Sequence, residues 1–113
     1  MPAEPDTVLT ATHLTLDQLE GFRRLLVEEY TARQARAVEL QDPIDLEPDL
    51  ADALLARCFE AMDDIDAALA RIGDGTYGTC VACGDPIPVE RLEIIPAADR
   101  CVPCQAGHDH VLR

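Results

Sequence analysis

The sequence predicts a mainly α fold: an antiparallel two-helix coiled-coil hairpin, then a small four-cysteine finger and a short C-terminal helix. Three observations carry this reading. Apolar residues recur at heptad spacing through one long helical stretch. A short turn bearing Pro43 and Pro48 joins that stretch to a comparable one before it. Two Cys-x-x-Cys pairs follow, at Cys80–Cys83 and Cys101–Cys104. The composition agrees. Apolar residues make up 48% of the chain, aromatics only 4%, and Trp is absent. Leu, Ala, Ile and Val must build the core, which suits packed helices better than a β-sandwich.

Residues 1–13 read as a loose acidic lead-in containing Glu4 and Asp6. Residues 14–73 form the hairpin arm, with its tip near 41–48. At Thr15 a helix-start signature appears, with Gln18 three residues later as in a capping box. Leu14 and Leu19 hold the flanking positions of a hydrophobic staple. The first helix then runs to about Leu40. Its apolar positions are Leu19, Phe22, Leu26, Tyr30, Ala37 and Leu40, and Arg33 interrupts them.

Pro43 pushes Asp42 out of the α region and ends that helix. Asp45 is placed to cap a second helix, with Pro48 tolerated in its first turn. The second helix carries the seam Ala51, Leu54, Cys58, Ala61, Ile65, Ala68 and Ile72, alternating steps of three and four. Leu55, Met62 and Leu69 widen it. Gly73-Asp74-Gly75 ends it. No third long helix is present to complete a bundle, so the two pair as an αα-hairpin. Cys58 lies in the seam and reads as a buried thiol packing as a small hydrophobe.

Residues 74–106 form the finger and 107–113 a tail. The two Cys-x-x-Cys pairs stand at the spacing of a four-thiolate zinc site. Each pair makes a tight knuckle, and Gly84 supplies the positive φ such a turn uses. Cys80, Cys83, Cys101 and Cys104 would close a tetrahedral shell around one Zn²⁺. No position then remains for water, so the metal is structural and not a Lewis-acid catalyst. A redox dithiol would need a βαβ context, which this sequence lacks. Two disulfides are disfavoured in the reducing compartment expected here.

The formal charge of −13 repels a phosphate backbone and removes the counterion-release term that drives nucleic-acid binding. A basic protein surface is the better partner. The start of the chain has no cationic n-region or apolar h-region, and no apolar run approaches the roughly 20 residues of a membrane span. A cytoplasmic location is therefore expected, with no membrane partner. There is no Gly-rich phosphate loop, nucleophile elbow or Ser/His/Asp constellation, so the protein is expected not to be an enzyme. His108 and His110 read as part of a solvated tail, and His13 carries no signal. Asp49, Asp52, Glu60, Asp63, Asp64 and Asp66 read as a solvated face, with Asp63 and Asp66 able to pair with first-helix arginines. Arg91 and Arg100 are expected to brace the knuckles or the adjacent helix.

The segment 75–105 strongly resembles the DksA/TraR family of zinc-finger transcription regulators. The matching residues are Gly75-Thr-Tyr-Gly78, the Cys80-Val-Ala-Cys83-Gly84 knuckle, Ile87, Arg91-Leu92, Pro96 and the closing Cys101-Val-Pro-Cys104-Gln105. The hairpin before it, with Asp42-Pro-Ile-Asp45 at its turn, resembles the family's coiled-coil arm and tip. This resemblance implies a regulator that binds RNA polymerase without binding promoter DNA. Its arm would enter the secondary channel, and its finger would dock on the channel rim. The tip residues implied to act near the catalytic centre are Asp42 and Asp45. Glu47 stands where a small residue is common, and is taken with them. In the family's best-known member, basic residues of the second helix are linked to the alarmone ppGpp. Here Asp63-Asp64-Ile65-Asp66 replaces them, and three carboxylates repel a polyphosphate. The chain also lacks a long N-terminal extension and has little after Cys104, which implies less rim contact. The alternative functions are a zinc-stapled protein–protein adaptor and a thiol-based redox sensor, neither acting on polymerase.

Overall fold

The computed structural model describes residues 13–111, with side chains as far as Asp109. Most of the predicted lead-in, the last two residues and the His110 side chain lie outside the described residues. Helix α1 spans Leu16–Gln41 and α2 spans Pro48–Asp74. They pack against each other as the predicted hairpin, and the body measures 63 × 31 × 20 Å. A short α3, Val89–Ile94, lies within the finger, and α4, Val102–Val111, follows it. Among the described residues there is no strand, only an isolated antiparallel bridge between Thr79 and Pro86.

Helix α1 starts as its sequence dictates. The Thr15 side chain accepts from the Gln18 backbone N–H at 3.1 Å, and the Thr15 backbone N–H donates to the Gln18 side chain at 2.9 Å. The first turn thereby satisfies donors that would otherwise lack partners. Leu14 and Leu19 are both buried. Helix α2 starts differently from the expectation. Its N-cap is Glu47, whose side chain makes no capping hydrogen bond, and not Asp45. The cause is Pro48. It occupies the first turn, and its ring holds the preceding residue extended; Glu47 has φ −64° and ψ 143°. The helix therefore cannot begin two residues earlier at Asp45. At the other end Gly75, at φ 85°, is the left-handed cap, and its backbone N–H reaches the Arg71 and Ile72 carbonyls.

The seam forms two separate clusters. At the tip end, Ala37, Leu40 and Cys58 are buried, with Leu46, Leu54 and Leu55 against them. Cys58 thus packs as the small hydrophobe expected of it. At the base, Leu19, Phe22, Leu26, Ile65 and Ala68 are buried together with Tyr77, Cys80, Ile87 and Leu92 of the finger. Arg33 lies exposed between the clusters. The arm base and the finger therefore share one core. Gly78 shows how tightly they meet. It has φ +89°, and a Cβ there would lie 2.8 Å from the Leu14 side chain.

Tyr77 is the pivot of this shared core. It is fully buried, its ring centroid lies 5.8 Å from that of Phe22, and its hydroxyl donates to the Pro96 carbonyl at 2.6 Å. Burial holds its phenol far above the ordinary tyrosine range, so it remains a neutral donor. Tyr77→Phe leaves the Pro96 carbonyl without this donor and is expected to lower stability by about 1–3 kcal/mol. A shift of the urea midpoint with an unchanged slope is the measurement. An unshifted midpoint would show that the hydroxyl contributes nothing.

The predicted short C-terminal helix is α4, and it extends through residues 107–111, which the sequence reads as tail. It starts at the second knuckle, and the Gln105 side-chain amide donates to Asp109 at 2.9 Å across one turn. His108 lies half-buried against the body. Asp63 and Asp66 belong to the solvated face read from the sequence and do not take up the pairing with first-helix arginines that was open to them. Among the described residues every ion pair is local in sequence: Glu20 with Arg23 and Arg24, Arg36 with Glu39, and Asp99 with Arg100. Asp63 and Asp66 face solvent, where there is little to gain from ordering two long side chains.

Candidate metal centre and acidic tip

The first knuckle is built by backbone hydrogen bonds around Cys80. Its N–H donates to the Asp85 carbonyl at 2.8 Å, and its own carbonyl accepts from Gly84 at 2.9 Å. Gly84 takes φ 81°, as the turn requires. The Ile87 N–H donates to the Gly78 carbonyl at 2.7 Å, closing the loop onto the shared core. The second knuckle is tied to the first where the Val81 N–H meets the Asp99 carbonyl at 2.8 Å. The first turn of α4 carries Cys104, and the Gln105 N–H donates to the Cys101 carbonyl at 2.9 Å. Arg91, on α3, braces the approach to Cys101. Its Nε donates to the Arg100 carbonyl at 3.0 Å.

These constraints bring the sulfurs of Cys80, Cys83, Cys101 and Cys104 within 4.8 Å of one another. The Cys83 and Cys101 sulfurs lie 3.8 Å apart. A tetrahedral zinc site with Zn–S bonds of about 2.3 Å has sulfur–sulfur edges of about 3.8 Å, so the cluster fits one ion. Cys80 is buried, Cys101 and Cys104 are half-buried, and Cys83 is exposed. The ion would therefore sit on one flank of the finger, with its innermost ligand in the shared core.

Electrostatics points to the same occupant. Burial pushes the Cys80 thiol up, but backbone hydrogen bonds from Cys101, Cys83 and Ala82 outweigh it and bring the thiol down to about 6. The sulfurs of Cys101, Cys83 and Cys80 push the Cys104 thiol up to about 12. Crowded sulfurs without a cation thus resist ionising together. A dication removes that resistance, which is the chemistry a soft thiolate set offers Zn²⁺.

The predicted tip residues lie at the far end of the arm, between α1 and α2. Asp42, Asp45 and Glu47 are exposed, and Ile44 between them is 93% exposed. A shallow cavity of about 410 Å³ opens here, lined by Leu40, Pro43, Ile44 and Leu46 together with Arg36, Glu39, Asp42 and Asp45. The structure keeps the tip and the cysteine cluster at opposite ends and brings no residue of one near the other.

Sequence reasoning did not anticipate α3, although Glu90 in its first turn and Pro88 before Val89 are ordinary start signals. It also did not assemble the groove between α2 and the finger. There Arg71, Arg91 and Arg100 converge with Asp64, Asp99 and His108 around about 460 Å³. One Arg71 nitrogen is buried there without a hydrogen-bond partner. Burial, followed by the nearby Asp99, Glu60 and Asp63, raises the Asp64 carboxyl above its ordinary value.

Residues 75–110 match the model of the prokaryotic dksA/traR C4-type zinc finger. An RNA polymerase-binding transcription factor DksA from Caulobacter vibrioides is 33% identical over 108 residues, covering 81% of this chain and 76% of that one. The solved structure of transcription factor DksA2 from Pseudomonas aeruginosa superposes with a TM-score of 0.68 at 30% identity, covering 97% of this chain and 99% of that one. An RNA polymerase binding protein and transcriptional regulator from Chlamydia trachomatis shares the fold, with a TM-score of 0.63 at 24% identity over 88% of this chain and 95% of that one. With four cysteines gathered for one structural Zn²⁺ and this similarity along both arm and finger, the chain belongs to the DksA/TraR family of C4-type zinc-finger proteins.

Proposed function

We propose that this chain is a cytoplasmic transcription regulator that binds RNA polymerase and inserts the tip of its arm into the secondary channel. It binds no DNA and catalyses no reaction. Asp42, Asp45 and Glu47 act at the far end, while Cys80, Cys83, Cys101 and Cys104 hold one Zn²⁺ that fixes the near end. The observation that carries the reading is a slim acidic prong on a protein 33% identical to an RNA polymerase-binding factor. A prong of this shape enters a narrow cleft, and its carboxylates draw it toward basic groups. The net charge of −13 favours such a protein surface over nucleic acid. Dependence on ppGpp through basic residues of the second helix is not part of this function, because Asp63, Asp64 and Asp66 occupy that stretch.

Competition for purified core polymerase with a protein known to occupy the secondary channel tests the reading. Displacement at equimolar concentrations is the expected result. Simultaneous binding of both proteins would place this chain elsewhere on the enzyme. Failure to bind core polymerase at all would leave an adaptor for some other basic protein.

A further inference from the structure

Resting on that reading, we infer that Ile44 is the apolar contact residue of the tip, seating in an apolar pocket on RNA polymerase whose edge is basic. Ile44 is the most exposed large apolar residue among those described, at 93%, ahead of Ile94 at 80%. Its neighbours behave differently. Leu40 is buried, and Leu46 and Pro43 are half-buried, whereas Ile44, which lines the same shallow cavity, is left almost wholly in solvent. Turn positions are ordinarily filled by Gly, Asn, Asp or Ser, which hydrogen-bond or relax the backbone. A β-branched apolar side chain gives the turn no such help. Isolated exposed apolar residues are common on protein surfaces. This one stands at the apex of the arm, on a turn stiffened by Pro43 and Pro48, where contact with a partner is made first.

The charge around it defines the partner. Glu39, Asp42 and Asp45 line the same cavity as Ile44, with Arg36 the opposing charge there, and Glu47 and Asp49 follow within five residues of Ile44 in the chain. An apolar side chain set among carboxylates fits a pocket that is apolar at its centre and basic at its edge. In such a pair the charges set approach and register, and the desolvated apolar anchor holds the complex. The carboxylates thus supply steering and local chemistry, and Ile44 supplies residence time.

Three variants and the tip-neutralised protein test this on purified RNA polymerase, at a promoter where the parent chain alters the lifetime of the promoter complex. Ile44→Ala should raise the concentration for half-maximal effect roughly tenfold, the loss of most of one buried side chain's transfer energy. Ile44→Val should stay within about threefold of the parent. Ile44→Asp should lose at least as much as Ile44→Ala, although it adds to the negative charge. Unchanged helical circular dichroism shows that each variant is folded, since the Ile44 side chain is almost wholly in solvent. If Ile44→Ala acts like the parent while Asp42→Asn with Asp45→Asn is inactive, Ile44 is no contact and the channel reading stands. If Ile44→Asp acts better than the parent, the tip works by charge alone and the inference falls. If the tip-neutralised protein also regulates normally, the channel reading fails, and the role of Ile44 fails with it.

Discussion

Stripping zinc from the protein is expected to abolish its cooperative unfolding transition. A structural zinc site contributes on the order of 10 kcal/mol of apparent folding free energy, comparable to the whole stability of a typical domain. The finger cannot replace that contribution, because its own buried residues are few and are shared with the arm base. Without the ion the four thiols relax apart, and Cys80, Ile87 and Leu92 leave the core. Phe22, Leu26, Ile65 and Ala68 then lose one side of their packing. The damage therefore extends beyond the finger into the inner half of both long helices. Calorimetry and far-ultraviolet circular dichroism, before and after chelation under reducing conditions, should show the transition broaden or vanish. The helical signal should fall by more than the two short helices can account for, and return when zinc is added back. A melt unchanged by complete chelation would remove the metal from the fold.

The second large effect is at the other end. Asp42→Asn with Asp45→Asn should reduce the effect on transcription by at least an order of magnitude while polymerase binding changes by no more than a few-fold. Promoter-complex lifetime and a direct binding assay separate the two quantities. The fold makes this a clean test. Had Asp45 capped α2, its replacement would have weakened the arm, and lost activity would have had two explanations. Glu47 holds the cap position instead, and the Asp45 carboxylate is exposed. Neutralising both side chains is thus expected to alter stability by less than about 0.5 kcal/mol. A variant that regulates normally would remove the tip carboxylates from the mechanism.

Much of this could be read from local pattern. The capping box at Thr15, the three-four alternation through α2 and the Cys-x-x-Cys spacing each state a local physical requirement, and each appears in the fold as expected. The misread positions are those where two local rules compete. Asp45 is a good cap residue, but Pro48 constrains the residue before it, and steric exclusion outranks one side-chain hydrogen bond. Gly107 and the histidines beside it looked like a tail, yet the second knuckle sets up a helix that carries through them. The arginine groove was illegible for another reason. Arg71 is one helix away from Arg91 and Arg100, and only the packing of the finger on the arm brings them together. Burial of Tyr77 against Phe22 was hidden in the same way, because no pattern within the finger names a partner on α1.

The split of the seam into two clusters has a mechanical consequence. Bending stiffness in a helical pair comes from side chains interlocked along its length, and here the interlock is thinnest near Arg33. The inner half, fused to the finger, behaves as a rigid mount. The outer half is a short lever held by Ala37, Leu40 and Cys58, and bending near Arg33 is expected to leave the metal site undisturbed. On the proposed reading, a lever of that kind would follow the walls of a cleft that changes shape as its owner works, while the grip at the entrance stays fixed.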